Sequence, residues 1–395
     1  MALDYKYLSK EHLKGFDKYK YNSIDNSPLS MYVMHPFWNW VVQYVPMWVA
    51  PNLLTFVGLL LIFLLYGILA YLDWWFYCSN RKIPEYPVIP SGIWYVCAAC
   101  LFTAHTLDGI DGKQARRTGS STPLGELFDH GSDSVVAGLL PLALYSIFGK
   151  GMEDFGANSW IFYAIAWNIV GQFFISHWEK YLTGVLFLPW GYDFAQLAMA
   201  LVYILTGFFG YEVWKGHTYF GLQFNYIFIV SVFAGSFLQA LPQSILNIYR
   251  SYKDGTGKNR SFYDAAEPLI PIFLLFITSF AWGWFSPTDV MDKDTRTYCL
   301  TFCLILSNIT CRLIISQMTD TRAPYFNHLL LVYMITALVC CCTNFGPWEL
   351  YILYIIFAAS CVIHFHYGVC VVRQLCTHFG IYAFSLKKPP KNHVK

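Results

Sequence analysis

Four aspartates stand inside stretches that otherwise look built for lipid. Asp108 and Asp111 are three apart, and Asp129 and Asp133 are four apart, in the run DGIDGKQARRTGSSTPLGELFDHGSD. On a helix each spacing places both carboxylates on one face. The first pair closes an apolar run that begins at Ile93, and the second opens the run VVAGLLPLALYSIF. Two pairs of acids are therefore expected to meet across two neighbouring helix ends at the membrane surface, where ionisable groups are costly and usually functional. Four converging carboxylates repel one another unless cations hold them. Oxygen-only ligands suit a hard divalent ion such as Mg²⁺ or Mn²⁺. The plainer alternative is a set of solvated acids in a polar loop. Against it stand the small residues recurring at fixed positions, Gly112, Ala115 and Gly125.

The full spacing is D-x2-D-G-x2-A-R-x8-G-x3-D-x3-D, filled by Asp108, Asp111, Gly112, Ala115, Arg116, Gly125, Asp129 and Asp133. It resembles the signature of the CDP-alcohol phosphotransferases, with no departure. The segments GFDKYKY, PLSMYVMHPFWN, APNLLTF and TGVLFLPWGYD are similar to the eukaryotic choline/ethanolamine phosphotransferases, most of all to the ethanolamine-specific, selenoprotein I-type branch. Similarity runs from about residue 15 to about residue 260 and thins afterwards. The tail FSLKKPPKNHVK has no selenocysteine, so any chemistry attached to that residue is not carried over. The resemblance implies a divalent-metal-dependent enzyme that moves phosphoethanolamine from CDP-ethanolamine to diacylglycerol, giving phosphatidylethanolamine and CMP. It also implies residence in the endoplasmic reticulum membrane, with the Golgi as an alternative. CDP-choline as donor, or both donors, stays open. A secondary transporter is the rival from another class, although transporter sites tend to lie near the bilayer midplane.

Within that reading the residues take roles. Two Mg²⁺ or Mn²⁺ ions held by Asp108, Asp111, Asp129 and Asp133 would bridge the donor phosphates and neutralise charge that develops in the transition state. Gly112 and Ala115 share a face with the acids and leave room for a pyrimidine ring and pyrophosphate. Arg116 can fork onto phosphate oxygens, while Arg117 reads as a topology charge. The resemblance makes Asp133 the general base. A metal-bound carboxylate is a weak base, however, and His130 beside Asp129 is the preferred proton acceptor, because an imidazole suits proton transfer at neutral pH. Glu126, one turn earlier, is expected to orient His130. His177 and Glu179 are expected near the same cleft, with Glu179 contacting the donor ammonium or, alternatively, forming a surface pair with Lys180. Asn52 is read either as the cap of the first membrane helix or as a nucleotide contact. Arg312, His364 and His366 are open between helix pairing and headgroup contact.

These residues need rigid elements to hold them, and composition says which kind. Apolar residues make up 56% of the 395 and charged ones only 13%, against about 25% charged in soluble proteins. The formal net charge of +2 argues against nucleic acid as a partner. No signal peptide is expected in the Lys/Tyr-rich start. The 12 cysteines lie mostly in apolar runs and read as small packing residues rather than a disulfide scaffold; Cys97 and Cys100 lack the second pair a zinc site needs.

Runs long enough to cross about 30 Å of hydrocarbon predict ten membrane helices, near 53–73, 93–115, 132–149, 159–177, 192–210, 222–247, 267–285, 298–317, 326–343 and 349–372. The fold class expected is all-α integral membrane. Residues 1–30 form a cytosolic start, and 31–50 a Trp- and Tyr-rich interfacial helix among the membrane lipids. Residues 51–250 are the catalytic core of six spans, 251–375 carry four more, and 376–395 are a cytosolic tail. Lys and Arg gather in the loops that share a side with Arg116, Lys180, Arg250 and Arg322, which places the acids on the cytosolic side. Oligomeric state is open, a homodimer included.

Overall fold

Backbone amides in lipid find no water, so an apolar run must satisfy them internally, and it does so as a helix. The computed structural model describes residues 3–188, 191–216, 218–219 and 222–387. Its chain is an all-α integral membrane protein. Among the described residues, nine helices are long and apolar enough to span a bilayer and a tenth is shorter. The only strands there are two short pairs, Ser23–Ile24 beside Leu186–Phe187 and Thr218–Tyr219 beside Leu222–Gln223.

The start contains α1 (Lys10–Phe16) and α2 (His35–Val41), which a π-turn over Ser30–Met34 precedes. The first five spans are α3 (Pro51–Leu72), α4 (Ser91–Thr118), α5 (Pro123–Phe148), α6 (Ser159–Thr183) and α7 (Gly191–Phe209). In the sixth, α8 (Phe224–Ala234) and α9 (Leu241–Asp254) are joined by a π-turn. The short α10 (Phe262–Ala266) leads into α11 (Leu269–Phe285), and α12 (Val290–Lys293) into α13 (Thr295–Thr319). The last two are α14 (His328–Cys342) and α15 (Trp348–Phe379).

Each expected span corresponds to a helix, but the ends move for local reasons. The third begins at Pro123 rather than 132, because Thr122 caps it by accepting from the Gly125 amide (3.3 Å) and Pro123 sits at its first turn. The α4–α5 connection is therefore only Gly119–Thr122, with Gly119 in the left-handed region. The ninth is shorter than expected, since Asn327 caps it through the amides of Leu329 and Leu330. Expected residues 388–395 of the tail lie outside the described residues.

In the packing, α3 lies against α4 and α5, and α4 against α7. Helix α13, buried along nearly all its length, is gripped by α5, α6 and α15. Arg312 on α13 bonds Asn308 (Nε to Oδ1, 3.2 Å) and lies over the Tyr367 ring, while the Tyr7 hydroxyl lies 2.9 Å from His366 Nδ1. These intramembrane polar residues therefore pair helices and pin the N-terminal segment.

Candidate active site

The short α4–α5 turn fixes the depth of the acids. Asp111 lies seven residues before the end of α4 and Asp129 six after the start of α5. At 1.5 Å per residue both sit about 10 Å below the turn, on antiparallel neighbours. Oxygens of Asp108, Asp111 and Asp129 come within 4.8 Å of one another. Asp111 is buried and accepts from the Thr55 hydroxyl of α3 at 2.5 Å. Asp108 accepts from the Tyr192 hydroxyl of α7 at 3.3 Å. One oxygen of Asp129, Oδ1, is buried with no hydrogen-bond partner. The other lies 3.6 Å from His130 Nε2. Asp133 stands outside the trio but within its electrostatic field, one turn deeper, and faces a cleft together with Asp108.

This donor set fits a divalent cation. Three carboxylates converge, one buried oxygen is orphaned, and among the described residues no lysine or arginine forms an ion pair with any of the three. The two glycines of DGIDG play opposite parts. A Cβ on Gly109 would run into the Trp38 ring at 2.1 Å, so Gly109 is where α2 docks. A Cβ on Gly112 would meet only Arg116 Nη1, at 3.7 Å, so Gly112 borders open space. Ala115 is half-buried one turn further on, and Arg116 is exposed beside it. Arg117, read as a topology charge, also clamps the segment before α3: its Nη1 donates to the carbonyls of Val42 and Val45 and to Gln114 Oε1.

Several expectations are corrected. Asn52 is not the helix cap; Ala50 holds that place and Pro51 starts the helix. The Asn52 amide oxygen instead reaches Gly125, where an added Cβ would lie 3.4 Å from it. Glu126 does not orient His130. Its Oε1 accepts from the buried Lys180 ammonium (2.6 Å) and from the Tyr19 hydroxyl (2.7 Å). Lys180 also lies over the Tyr21 ring, 5.0 Å from its centre, and burial pushes that phenol up to about 12. Glu179 pairs neither with Lys180 nor with the aspartates. It is buried against α9, accepting from Ser244 (2.6 Å) and Asn247 (2.7 Å). His130 is buried, and His177 does join it, with ring centres 5.1 Å apart at 70°.

The cleft beside Asp108 and Asp133 is narrow and runs between α3, α4, α5 and α7. At its polar end are Asp108, Asp133, Ser132 and His105, and deeper in it Ile62, Leu101, Val136 and Leu140. Sequence reasoning missed Thr55, Tyr192, His105 and Asp193. The available signal was the one used for the aspartates: His105 is three residues before Asp108 on the same face, and Tyr192–Asp193 open an apolar run.

Comparison with known proteins agrees with this geometry. Residues 48–234 match the family model described as CDP-alcohol phosphatidyltransferase. The chain is 45% identical over 388 residues to Ethanolaminephosphotransferase 1 of Homo sapiens, covering 98% of this chain and 96% of that protein. To Cholinephosphotransferase 1 of Danio rerio it is 30% identical over 400 residues, with 98% and 97% covered. To Choline/ethanolaminephosphotransferase 2 of Arabidopsis thaliana the figure is 29% over 407 residues, with 97% and 99% covered.

Proposed function

The chain belongs to the CDP-alcohol phosphatidyltransferase family, and from that premise we propose that it transfers phosphoethanolamine from CDP-ethanolamine to diacylglycerol, forming phosphatidylethanolamine and CMP. The observation that carries this is a junction. A trio of carboxylates without a cationic partner borders open space at Gly112 on one side and an apolar-walled cleft on the other. Such a junction joins a charged, water-soluble donor to a lipid acceptor. The higher identity to the ethanolamine enzyme than to the choline enzyme supports an ethanolamine donor.

Asp108, Asp111 and Asp129, with Asp133 at their border, would hold two Mg²⁺ or Mn²⁺, which when bound supply charge neutralisation for the donor phosphates and the departing CMP. The chain's own residues do the rest. Gly112 and Ala115 let the nucleotide approach the backbone of α4, and the Arg116 guanidinium takes phosphate oxygens. Thr55 and Tyr192 fix two of the carboxylates by hydrogen bonds. The acceptor hydroxyl oxygen attacks the phosphorus that carries ethanolamine, and the bond from that phosphorus to the CMP oxygen breaks. The imidazole of His130 takes the hydroxyl proton, with His177 packed against it. The Lys180–Glu126 pair anchors the helices on either side. The charge pattern of the loops supports a site open to the cytosol, and the family resemblance supports the endoplasmic reticulum as the membrane.

The test offers purified protein diacylglycerol with CDP-ethanolamine or CDP-choline, with and without divalent metal. Metal-dependent phosphatidylethanolamine is the expected product. Product made only from CDP-choline, or made equally well in excess chelator, contradicts the proposal. In the same assay His130→Ala should keep donor affinity and lose turnover by about 10²–10⁴, whereas Asp133→Asn should lose both.

A further inference from the structure

One buried charge near the cleft belongs to no role described so far. Asp193, in the first turn of α7, is 4% exposed and sits among α4, α7 and the π-turn before α2. One of its oxygens accepts from the Ser30 hydroxyl, and the other lies 3.3 Å from Nε2 of His105 on α4. His105 is 5% exposed and boxed by the edges of Trp38 and Tyr192, with ring centres 5.5 and 5.8 Å away. Its ring lines the cleft at the polar end, one turn below Asp108; among the described residues neither buried ring nitrogen makes a hydrogen bond, Nε2 being turned to the Asp193 carboxylate and Nδ1 away from it.

A carboxylate removed from water needs a countercharge. Among the described residues no lysine or arginine forms an ion pair with Asp193, and the imidazole of His105 is the group that lies against its carboxylate. With Nε2 turned to Asp193, Nδ1 is the ring nitrogen that can donate to a ligand, and no protein acceptor meets it among the described residues. A buried donor left unsatisfied at a cleft wall calls for an acceptor atom brought by a ligand. Immediately deeper the walls are Ile62, Leu101, Val136 and Leu140. The ligand therefore has an uncharged acceptor oxygen next to a hydrocarbon chain.

We propose that His105, seated on Asp193, is the subsite that receives an ester carbonyl oxygen of the lipid acceptor. This rests on the function proposed above. On that view the ester is held one turn below Asp108, the free hydroxyl points up toward the carboxylates, and the acyl chain follows the cleft downward. Ser30 and Trp38 tie the same subsite to the interfacial segment, so the residue that reads the lipid is braced by the element lying along the headgroups.

The experiment compares two acceptors of equal chain length, a diester diacylglycerol and its dialkyl ether analogue, which has the hydroxyl but no carbonyl. Full-length protein in mixed micelles is given saturating metal and CDP-ethanolamine. One hydrogen bond that satisfies an otherwise stranded buried donor predicts that wild type favours the diester by about tenfold in kcat/KM. His105→Phe should bring that ratio within about twofold by losing rate on the diester alone, with the KM for CDP-ethanolamine unchanged. His105→Gln, which keeps an N–H donor, should restore much of the preference. Asp193→Asn should shrink it, and gives a second route if the Phe variant does not fold. A wild-type ratio retained in His105→Phe or Asp193→Asn overturns the subsite. So does an active wild type that does not distinguish the two lipids. A wild type that makes no product from any CDP-alcohol and either lipid overturns the proposed function, and the subsite with it.

Discussion

The two ends of α5 each gather aspartates, one of them buried at either end, and they treat them in opposite ways. Beyond its C-terminal end Asp154, 1% exposed, is fully paired. The Arg81 Nε and backbone amide each donate to it at 2.8 Å, and the Lys215 ammonium stands 3.8 Å away. Burial alone would raise its carboxyl, yet Arg81 and Lys215 hold it below the usual carboxylate range. Burial brings Lys215 down to about 8 despite the pull of Asp154. Nearby, Lys150 reaches Asp292 at 3.1 Å. At the N-terminal end Asp108, Asp111 and Asp129 crowd together with a threonine, a tyrosine and a histidine for neighbours. Aspartates that tie loops together come with their cations built in. The crowded aspartates have no such cation among the described residues, and that is the repulsion the proposed metal ions would relieve.

The comparison breaks first on substitution. Asp108→Asn, Asp111→Asn and Asp129→Asn should each lower turnover about 10³-fold or more, because losing a hard ligand forfeits several kcal/mol of transition-state stabilisation. In chelator the same variants should melt no lower than wild type, since a like charge has been removed. Asp154→Asn should behave in reverse, losing about 3 kcal/mol of stability by stranding the buried Lys215 ammonium while the folded fraction keeps its specific activity. Rates and melting temperatures measured side by side check both halves.

The Lys180–Glu126 pair tests whether pairing near the site is structural. Lys180→Met leaves a buried carboxylate without its cation and should cost about 3–5 kcal/mol. Lys180→Met combined with Glu126→Gln should recover most of that. A single variant that melts with wild type shows the pair to be dispensable.

The smallest effect is a pH dependence at the paired end. The folded-state value of Asp154 lies below its unfolded one, so its stabilisation is complete above about pH 4 and is lost as pH falls below that. Melting temperature should therefore drop on acidification from pH 5 to 3, and Asp154→Asn should flatten the drop.

The sequence made the acidic N-terminal end legible and hid the paired C-terminal end. Run length locates the helices, because lipid leaves the backbone no alternative, and three- and four-residue spacings put the acids on common faces before any fold is known. Partners across helices are not written locally. Glu179 and Lys180 are adjacent in sequence but point to different neighbours, α9 and α5, since consecutive helical residues are about 100° apart. Glu126 and His130 share a face, as expected, yet Lys180 captures the glutamate from another helix. His105 and Asp193 are 88 residues apart in sequence, and nothing short of the packing of α4 on α7 brings them together. The start of α5 was misplaced by nine residues because the polar stretch before it, SSTPLGELFDHG, is a capped helix end rather than a loop.

The most direct test of the central claim, that the unpaired carboxylates exist to hold divalent metal with the nucleotide, is equilibrium Mn²⁺ binding to the purified chain saturated with CMP, followed by electron paramagnetic resonance. Two bound Mn²⁺ per chain in wild type, with at least one lost in Asp129→Asn and none lost in Asp154→Asn, is the predicted result. Mn²⁺ binding that Asp129→Asn leaves unchanged would contradict it.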